Sequence, residues 1–438
     1  MNKNDKVILF ISDLDFAKTG NQILLNTVLF HIRNDFKVIL LTSSPTVDDD
    51  FDGIEFPENY RDKIVIKRFC PLFRFQRRMS IMLLQHIFKF IRNTFPPADS
   101  LKKLSEITKT TPFTFYPTLS FFSFFLGGLF SSINLVRKYR PQIICGYEPR
   151  GIVLGWVISR LFSIKLISRF QGTLLFPEMK NKYKAFLKYP FYIISMILPT
   201  DLAIMENDGT RGKEVLLELG VPESKIKFRI DGVYRDIFIP NYDKEYILEK
   251  YNLEKDTKII LTVSRLVLWK RVDRIIFAMQ EVAKKIPNSI LIIVGGGDQE
   301  ESLRVLSKNL GLDKRIIFSG PIKYNEIKYY INSCDIFCSF YEYSNLCNPV
   351  LEALVCGRCI ISVNDGSTKD ILINNCNSIL IEKENLENDI PLEIIRILED
   401  DDLRTKIMDN VQAFSRKYLL PWPKRMDLET EEINKLLI

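Results

Sequence analysis

The chain has 438 residues, enough for two or three domains with sizeable cores. With 46% hydrophobic and 26% charged residues and no low-complexity tract, it has the composition of an ordinary soluble globular protein, which excludes the compositionally biased classes. The net charge of +7 is uneven: residues 61–110 hold 12 Lys+Arg against 3 Asp+Glu, a patch suited to phosphates, an anionic bilayer surface or nucleic acid, or simply a solvated helix face.

In chain order, MNKNDKVILFISDLD enters a strand at once, and its apolar run is too brief for a secretory core. A cytoplasmic chain is expected, and its eight Cys fit a reducing compartment. After this strand comes AKTGNQ, a Gly turn opening a helix, where Gly20 would let a backbone approach a ligand. It lacks the three-glycine dinucleotide fingerprint, so hydride transfer is poorly supported. KVILLTS and KIVIKRF are the next strands. The stretch Cys70 to Phe95 then mixes Arg with large apolar residues and could lie on an anionic bilayer or be buried against its own domain.

Thr110 to Val136 carries no charge and is long enough to span a bilayer. Pro112, Pro117 and Gly127-Gly128 interrupt it, Ser and Thr dilute it, and it leads through RKYRP into the strand QIICGY. It is read as a core or interfacial helix. Strand-end polar residues follow in GYEPR and SRFQGT, then the strands DLAIM and KFRIDG, and a polar seam from Ile239 to Lys258.

The second half repeats the alternation with KIILTVS, SILIIVG, RIIFSG, DIFCSF and CIISVN. Val272, Ile275, Ile276, Met279, Val282 and Ile286 recur at helical spacing between the first two. Strand starts about 20 to 30 residues apart fit βαβ units. The expected fold class is therefore α/β, with two facing Rossmann-like doubly wound parallel-sheet domains and a cleft between them. The expected division is 1–238, 239–414, and a tail 415–438 that crosses back toward the first domain. Six Cys fall between Cys334 and Cys376, but several lie in strand-like runs and no His is near, so buried small residues are read rather than a metal site. His31 and His86 sit in helical patterns and are read as structural.

Residues just past the strands are the site candidates. Arg265 and Lys270, in RLVLWKR, open a helix whose N-terminus already favours anions, which outlines a diphosphate site; the plain alternative is two solvated loop cations. Gly296 and Gly297 follow the next strand. In YEYSNLCNPVLEALVCG, Pro349 suits a first helical turn, which would aim the amides of Asn348 to Leu351 at the cleft. Glu352, one turn in, could bridge two vicinal hydroxyls through its two oxygens, or could merely be stabilised by the helix dipole.

At these residues the chain resembles the family 4 glycosyltransferases, which have the GT-B fold. LTVSRLVLWKRVDRIIFAM looks like the family's Arg and Lys diphosphate motif, and PVLEALVCGRCIISVNDGSTKDIL looks like its donor-binding helix. ENDGTRGKEVLLELGVPESKIKFRIDGVYRDIF resembles the segment before its interdomain linker. The family usually carries two glutamates separated by seven residues. Glu352 matches the second, which the resemblance assigns to the nucleotide's ribose; the first position is Ser344, and Glu342 lies two residues too early. Gln171 stands where the family often has His.

The resemblance implies a retaining, metal-independent glycosyltransferase that moves a sugar from a UDP- or GDP-sugar to a hydroxyl of a glycan or lipid-linked acceptor. It would need no cofactor, bind no nucleic acid, and work in the cytoplasm, with an anionic inner membrane face as a candidate partner. Arg265 and Lys270 would be catalytic. Glu352, Asn345, Asn348, Pro349, Val350, Gly296 and Gly20 would bind the donor, and Glu148, Arg169 and Gln171 would meet the acceptor. A nucleotide-sugar epimerase or phosphorylase on the same plan, and a non-catalytic nucleotide-sugar-binding protein, are the rival readings.

Overall fold

The structure is a computed structural model that describes residues 6–13, 22–43, 58–69, 112–239 and 244–437. Gly20, His86 and the stretch Cys70 to Phe95 lie outside the described residues. Two parallel sheets form two Rossmann-like domains. The first contains β1 (Lys6–Ser12), β2 (Phe36–Thr42), β3 (Ile64–Arg68), β4 (Ile143–Tyr147), β5 (Lys165–Phe170), β6 (Leu202–Glu206) and β7 (Ile226–Arg229). Its strand order is β3-β2-β1-β4-β5-β6-β7. The second contains β8 (Lys258–Val263), β9 (Ser289–Val294), β10 (Ile316–Gly320), β11 (Ile336–Ser339), β12 (Cys359–Asn364) and β13 (Ile379–Glu382), in the order β10-β9-β8-β11-β12-β13.

The strands are near-continuous apolar runs because helices cover both faces. In β1, Ile8 and Phe10 join the core on one side of the sheet, while Val7, Leu9 and Ile11 join the core on the other. In the second domain the helix Val272–Lys285 buries Val272, Ile275, Ile276, Met279 and Val282 against its sheet, each such side chain worth about 1.5–3 kcal/mol. β13 was not among the expected strands: it is four residues long, lies at the sheet edge and follows an Asn-rich turn.

The helix Pro112–Tyr139 is, among the described residues, the one long and apolar enough to cross a membrane, with 39% of its most apolar window buried. One face enters the first domain's core through Phe124, Leu135 and Val136. Phe122, Leu126 and Phe130, four residues apart, form an exposed stripe on another face.

The chain crosses between the domains twice. After β7 it runs into the second domain, and the last helix, Trp422–Lys435, returns to the first, where Ile433 packs into the core beside β1. At the crossing Val233 and Leu420 share a main-chain hydrogen bond of 3.1 Å. Gly232 is required there, since a Cβ on it would stand 2.6 Å from the Trp422 Cα.

Candidate functional site

In each sheet the strand order reverses once, between β1 and β4 and between β8 and β11. Such switch points leave a crevice past the carboxyl ends of the strands. Here a cleft of about 520 Å³ is lined by Glu148, Gln171, Asp208 and Asp231 from the first domain and its exit strand, and by Arg265, Lys270, Ser344, Asn348, Pro349 and Glu352 from the second.

Local structure sets the two cations. The loop after β8 is held by Leu266 N–H donating to the Gly296 carbonyl at 3.0 Å. The loop after β9 can approach that closely because Gly295, at φ +131°, has no Cβ; one would lie 1.9 Å from the Ser264 carbonyl oxygen. Gly296 thus supports the Arg265 loop through its carbonyl and is not part of the cleft wall. Lys270 ends a short 3-10 turn and is buried, with its ammonium 3.7 Å from the Tyr341 ring centroid and 4.3 Å from that of Trp269. Burial lowers its pKa, against an opposing pull from Cys347, and the repulsion of Arg265 adds a smaller lowering. Arg265 is exposed at the cleft. Among the described residues neither cation has a carboxylate partner, whereas the neighbouring Arg271 and Arg274 are paired with Asp273 and Glu342.

Glu352 lies on the helix Asn348–Val355 and is 3% exposed. Tyr324 donates its hydroxyl to Oε1 at 3.0 Å, and Oε2 has no partner among the described residues. Burial pushes the carboxyl up to about 7, with the Tyr324 hydrogen bond pulling the other way. An unpaired buried oxygen is costly, so this wall is built for a hydroxyl donor. The amides ahead of Glu352 contribute less than the sequence promised. Val350 and Leu351 N–H groups close on the Cys347 carbonyl at 2.9 and 3.2 Å, and Pro349 has no N–H. Val350 packs its side chain into the core, leaving Asn348 and Pro349 as the wall residues of this turn.

Besides Gly296 and Val350, two further expected contacts are corrected. Asn345 is 1% exposed and does not line the cleft. Its Oδ1 accepts from Tyr341 N–H at 3.0 Å and its amide nitrogen donates to the Tyr341 carbonyl at 3.1 Å, so it holds its own loop in shape. Arg169 is fully buried behind the cleft, bridging Glu206 at 3.0 Å and Glu429 of the last helix. Arg425 also pairs with Glu429, at 2.8 Å, and the buried His31 lies 3.7 Å from the same carboxylate. Burial alone would raise Glu429, but Arg169 and Arg425 hold it down at about 2. This is a structural lock between sheet and tail.

The other acceptor-side candidates do reach the cleft. Glu148 opens the helix after β4 in the left-handed region at φ 60°, a strained position for a side-chain-bearing residue. It accepts from Gln171 N–H at 2.7 Å, and Gln171 donates through Nε2 to the Tyr147 hydroxyl at 2.6 Å. Burial raises Glu148 to about 8. Sequence reading missed Asp208 and Asp231, which also line the cleft and are raised to about 6 by burial. Both were legible by the strand-end rule: each sits beside a Gly just past a strand, in ENDGT and RIDGV. Tyr324 had no comparable signal, since it meets Glu352 across the fold. Most described Cys are buried, as expected, while Cys376 is exposed.

The family model described as "Glycosyl transferases group 1" matches residues 243–414. An uncharacterized glycosyltransferase of Methanocaldococcus jannaschii is 26% identical over 60% of this chain and 67% of its own. A GDP-mannose-dependent alpha-(1-6)-phosphatidylinositol monomannoside mannosyltransferase of Mycolicibacterium smegmatis is 25% identical over 37% of this chain and 44% of its own. The chain thus spans between 44% and 67% of the length of such relatives. In fold it is similar to HepE of Anabaena, solved with UDP and glucose (TM-score 0.68, 15% identity, 98% of this chain and 99% of that one). It is likewise similar to sucrose-phosphate synthase of Thermosynechococcus elongatus (TM-score 0.72, 17% identity, 99% of each chain).

Proposed function

We propose that this chain, whose second domain is a glycosyltransferase domain of the group 1 family, transfers a sugar from a nucleotide diphosphate to a hydroxyl acceptor. The observation that carries the reading is the cleft itself. Two cations without carboxylate partners among the described residues share it with a buried carboxylate that has one unpartnered oxygen. Arg265 and Lys270 take the diphosphate, and Glu352 takes the ribose hydroxyls.

The bond from the sugar's anomeric carbon to the phosphate oxygen breaks, and a bond to the acceptor oxygen forms. The acceptor's proton goes to a leaving-group phosphate oxygen on the same face, so the configuration is retained. Negative charge grows on the diphosphate as it leaves, and Lys270 and Arg265 stabilise it more in the transition state than before, which is electrostatic catalysis. These fixed cations take the role a metal ion plays elsewhere, so chelator should leave the rate unchanged. Glu148 and Gln171 face the acceptor side.

A thermal-shift panel of UDP, GDP and ADP with their sugars tests the donor reading, since a ligand that selects the folded state raises the melting temperature. No shift with any of them ends it. An acceptor at a lipid surface is favoured by one observation, the exposed stripe Phe122, Leu126 and Phe130. Flotation with neutral and anionic vesicles checks this; absence of binding to either leaves the acceptor a soluble glycan.

A further inference from the structure

We propose that Asp208, a residue of the first domain, supplies the carboxylate that holds the hydroxyls of the transferred sugar on the donor side of the cleft. This rests on the donor reading above and deepens it. The second domain's own loop has no acid to give there. Ser344, eight residues ahead of Glu352, carries only a hydroxyl and sits in the left-handed region at φ 62°. Glu342, nearby in sequence, is occupied by Arg274 and Lys383, both at 2.7 Å.

The segment that carries Asp208 is docked on the second domain along its length. Leu346 N–H donates to the Asp208 carbonyl at 2.9 Å, and Ser367 N–H donates to the Gly209 carbonyl at 3.0 Å. The Ser367 hydroxyl donates to Asn207 Oδ1 at 2.7 Å. The approach needs a glycine on the far side, since a Cβ on Gly366 would lie 1.9 Å from the Gly209 carbonyl oxygen. Asp208 belongs to one domain in the chain and to the other in the wall it builds.

Its side chain is aimed as well as placed. Thr210 donates to Oδ1 from its N–H at 3.2 Å and from its hydroxyl. Gly172 leaves the space the carboxylate occupies: a Cβ there would stand 2.3 Å from Oδ2. The group lines the same cleft as Lys270 and Glu352, and its charge is felt by the Lys270 ammonium. A carboxylate so held accepts hydrogen bonds from hydroxyls with its remaining lone pairs, which a nucleoside diphosphate without sugar does not offer there. Sugar recognition then requires the two domains to be docked, because only docking brings Asp208 to the wall.

The test compares Asp208→Asn with wild type, using UDP, GDP and ADP alone and UDP-glucose, GDP-mannose and ADP-glucose. Readouts are the melting-temperature shift and the release of nucleoside diphosphate. The variant should keep the wild-type shift with the diphosphate and lose the extra shift that the sugar brings. Its turnover should fall about 10- to 100-fold, the scale of a lost hydrogen bond to a charged group. Asp208→Asn combined with Ser344→Glu, which returns an acid to the second domain's loop, should recover most of that loss. Should Asp208→Asn fail to fold, Thr210→Ala, which unseats the carboxylate and leaves its main chain, should show the same split. Wild-type behaviour in these variants overturns the assignment, as does an equal loss of diphosphate binding, which would make Asp208 a mere domain contact. If none of the six probes shifts the wild type, the donor reading falls, and this assignment falls with it.

Discussion

Two groups of charges in this molecule do opposite things. Behind β5 and β6, the charges of Arg169 and Arg425 are paired with those of Glu206 and Glu429, although Arg169 Nε and Arg425 Nη2 have no hydrogen-bond partner among the described residues. In the cleft, Arg265 and Lys270 have no carboxylate partner among the described residues, and Glu352 keeps an oxygen unpaired. A closed set of charges holds two parts of a chain together. An open set holds a state that costs energy until a ligand of the complementary charge completes it.

The sharpest way to break the contrast is Glu429→Gln. It leaves Arg169 and Arg425 buried with too little negative charge, and should cost about 3–5 kcal/mol in urea unfolding, with nucleotide binding per folded molecule unchanged. Lys270→Ala should do the reverse: a barrier raised by about 2.7–4 kcal/mol in single-turnover transfer, with the unfolding midpoint unchanged or higher. A large stability loss in Lys270→Ala would erase the distinction between the two groups.

Glu352→Ala sharpens the reading of the open set. The wild type should prefer a ribonucleoside diphosphate over its 2′-deoxy form by about 10-fold in Kd, one hydrogen bond to a charged group, and the variant should not discriminate.

The pH dependence of stability supplies two expected effects of opposite sign. Glu429 is held at about 2 against an ordinary 4.5, so its stabilisation is present above 4.5 and lost as the pH falls from 4.5 toward 2. Glu352 is raised to about 7 from 4.5, so its contribution is greatest below 4.5 and lost as the pH rises from 4.5 to 7. Urea midpoints measured against pH should flatten in the first window for Glu429→Gln and in the second for Glu352→Gln.

The cleft residues Arg265, Lys270, Glu352 and Glu148 were legible because each lies in the loop or at the start of the helix that follows a strand, and a parallel sheet delivers that region to the crevice whatever the rest of the fold does. Asn345 obeyed the same rule and still failed it, because its amide found the carbonyl and N–H of Tyr341 within its own turn. Arg169 failed for a different reason: its partner Glu429 is 260 residues away, and no spacing rule announces it.

What the sequence determined by itself was local and periodic. Runs of Val, Ile and Leu with helical stripes between them specify parallel strands covered on both faces, and hence the level at which a ligand sits. What only the tertiary structure decided was which charges meet. That the last helix would cap Arg169, that Tyr324 would reach Glu352, and that Asp208 would cross to the opposite wall depend on how separate parts of the chain pack, and hydrogen bonds and ion pairs act over a few ångströms with no regard to distance along the chain.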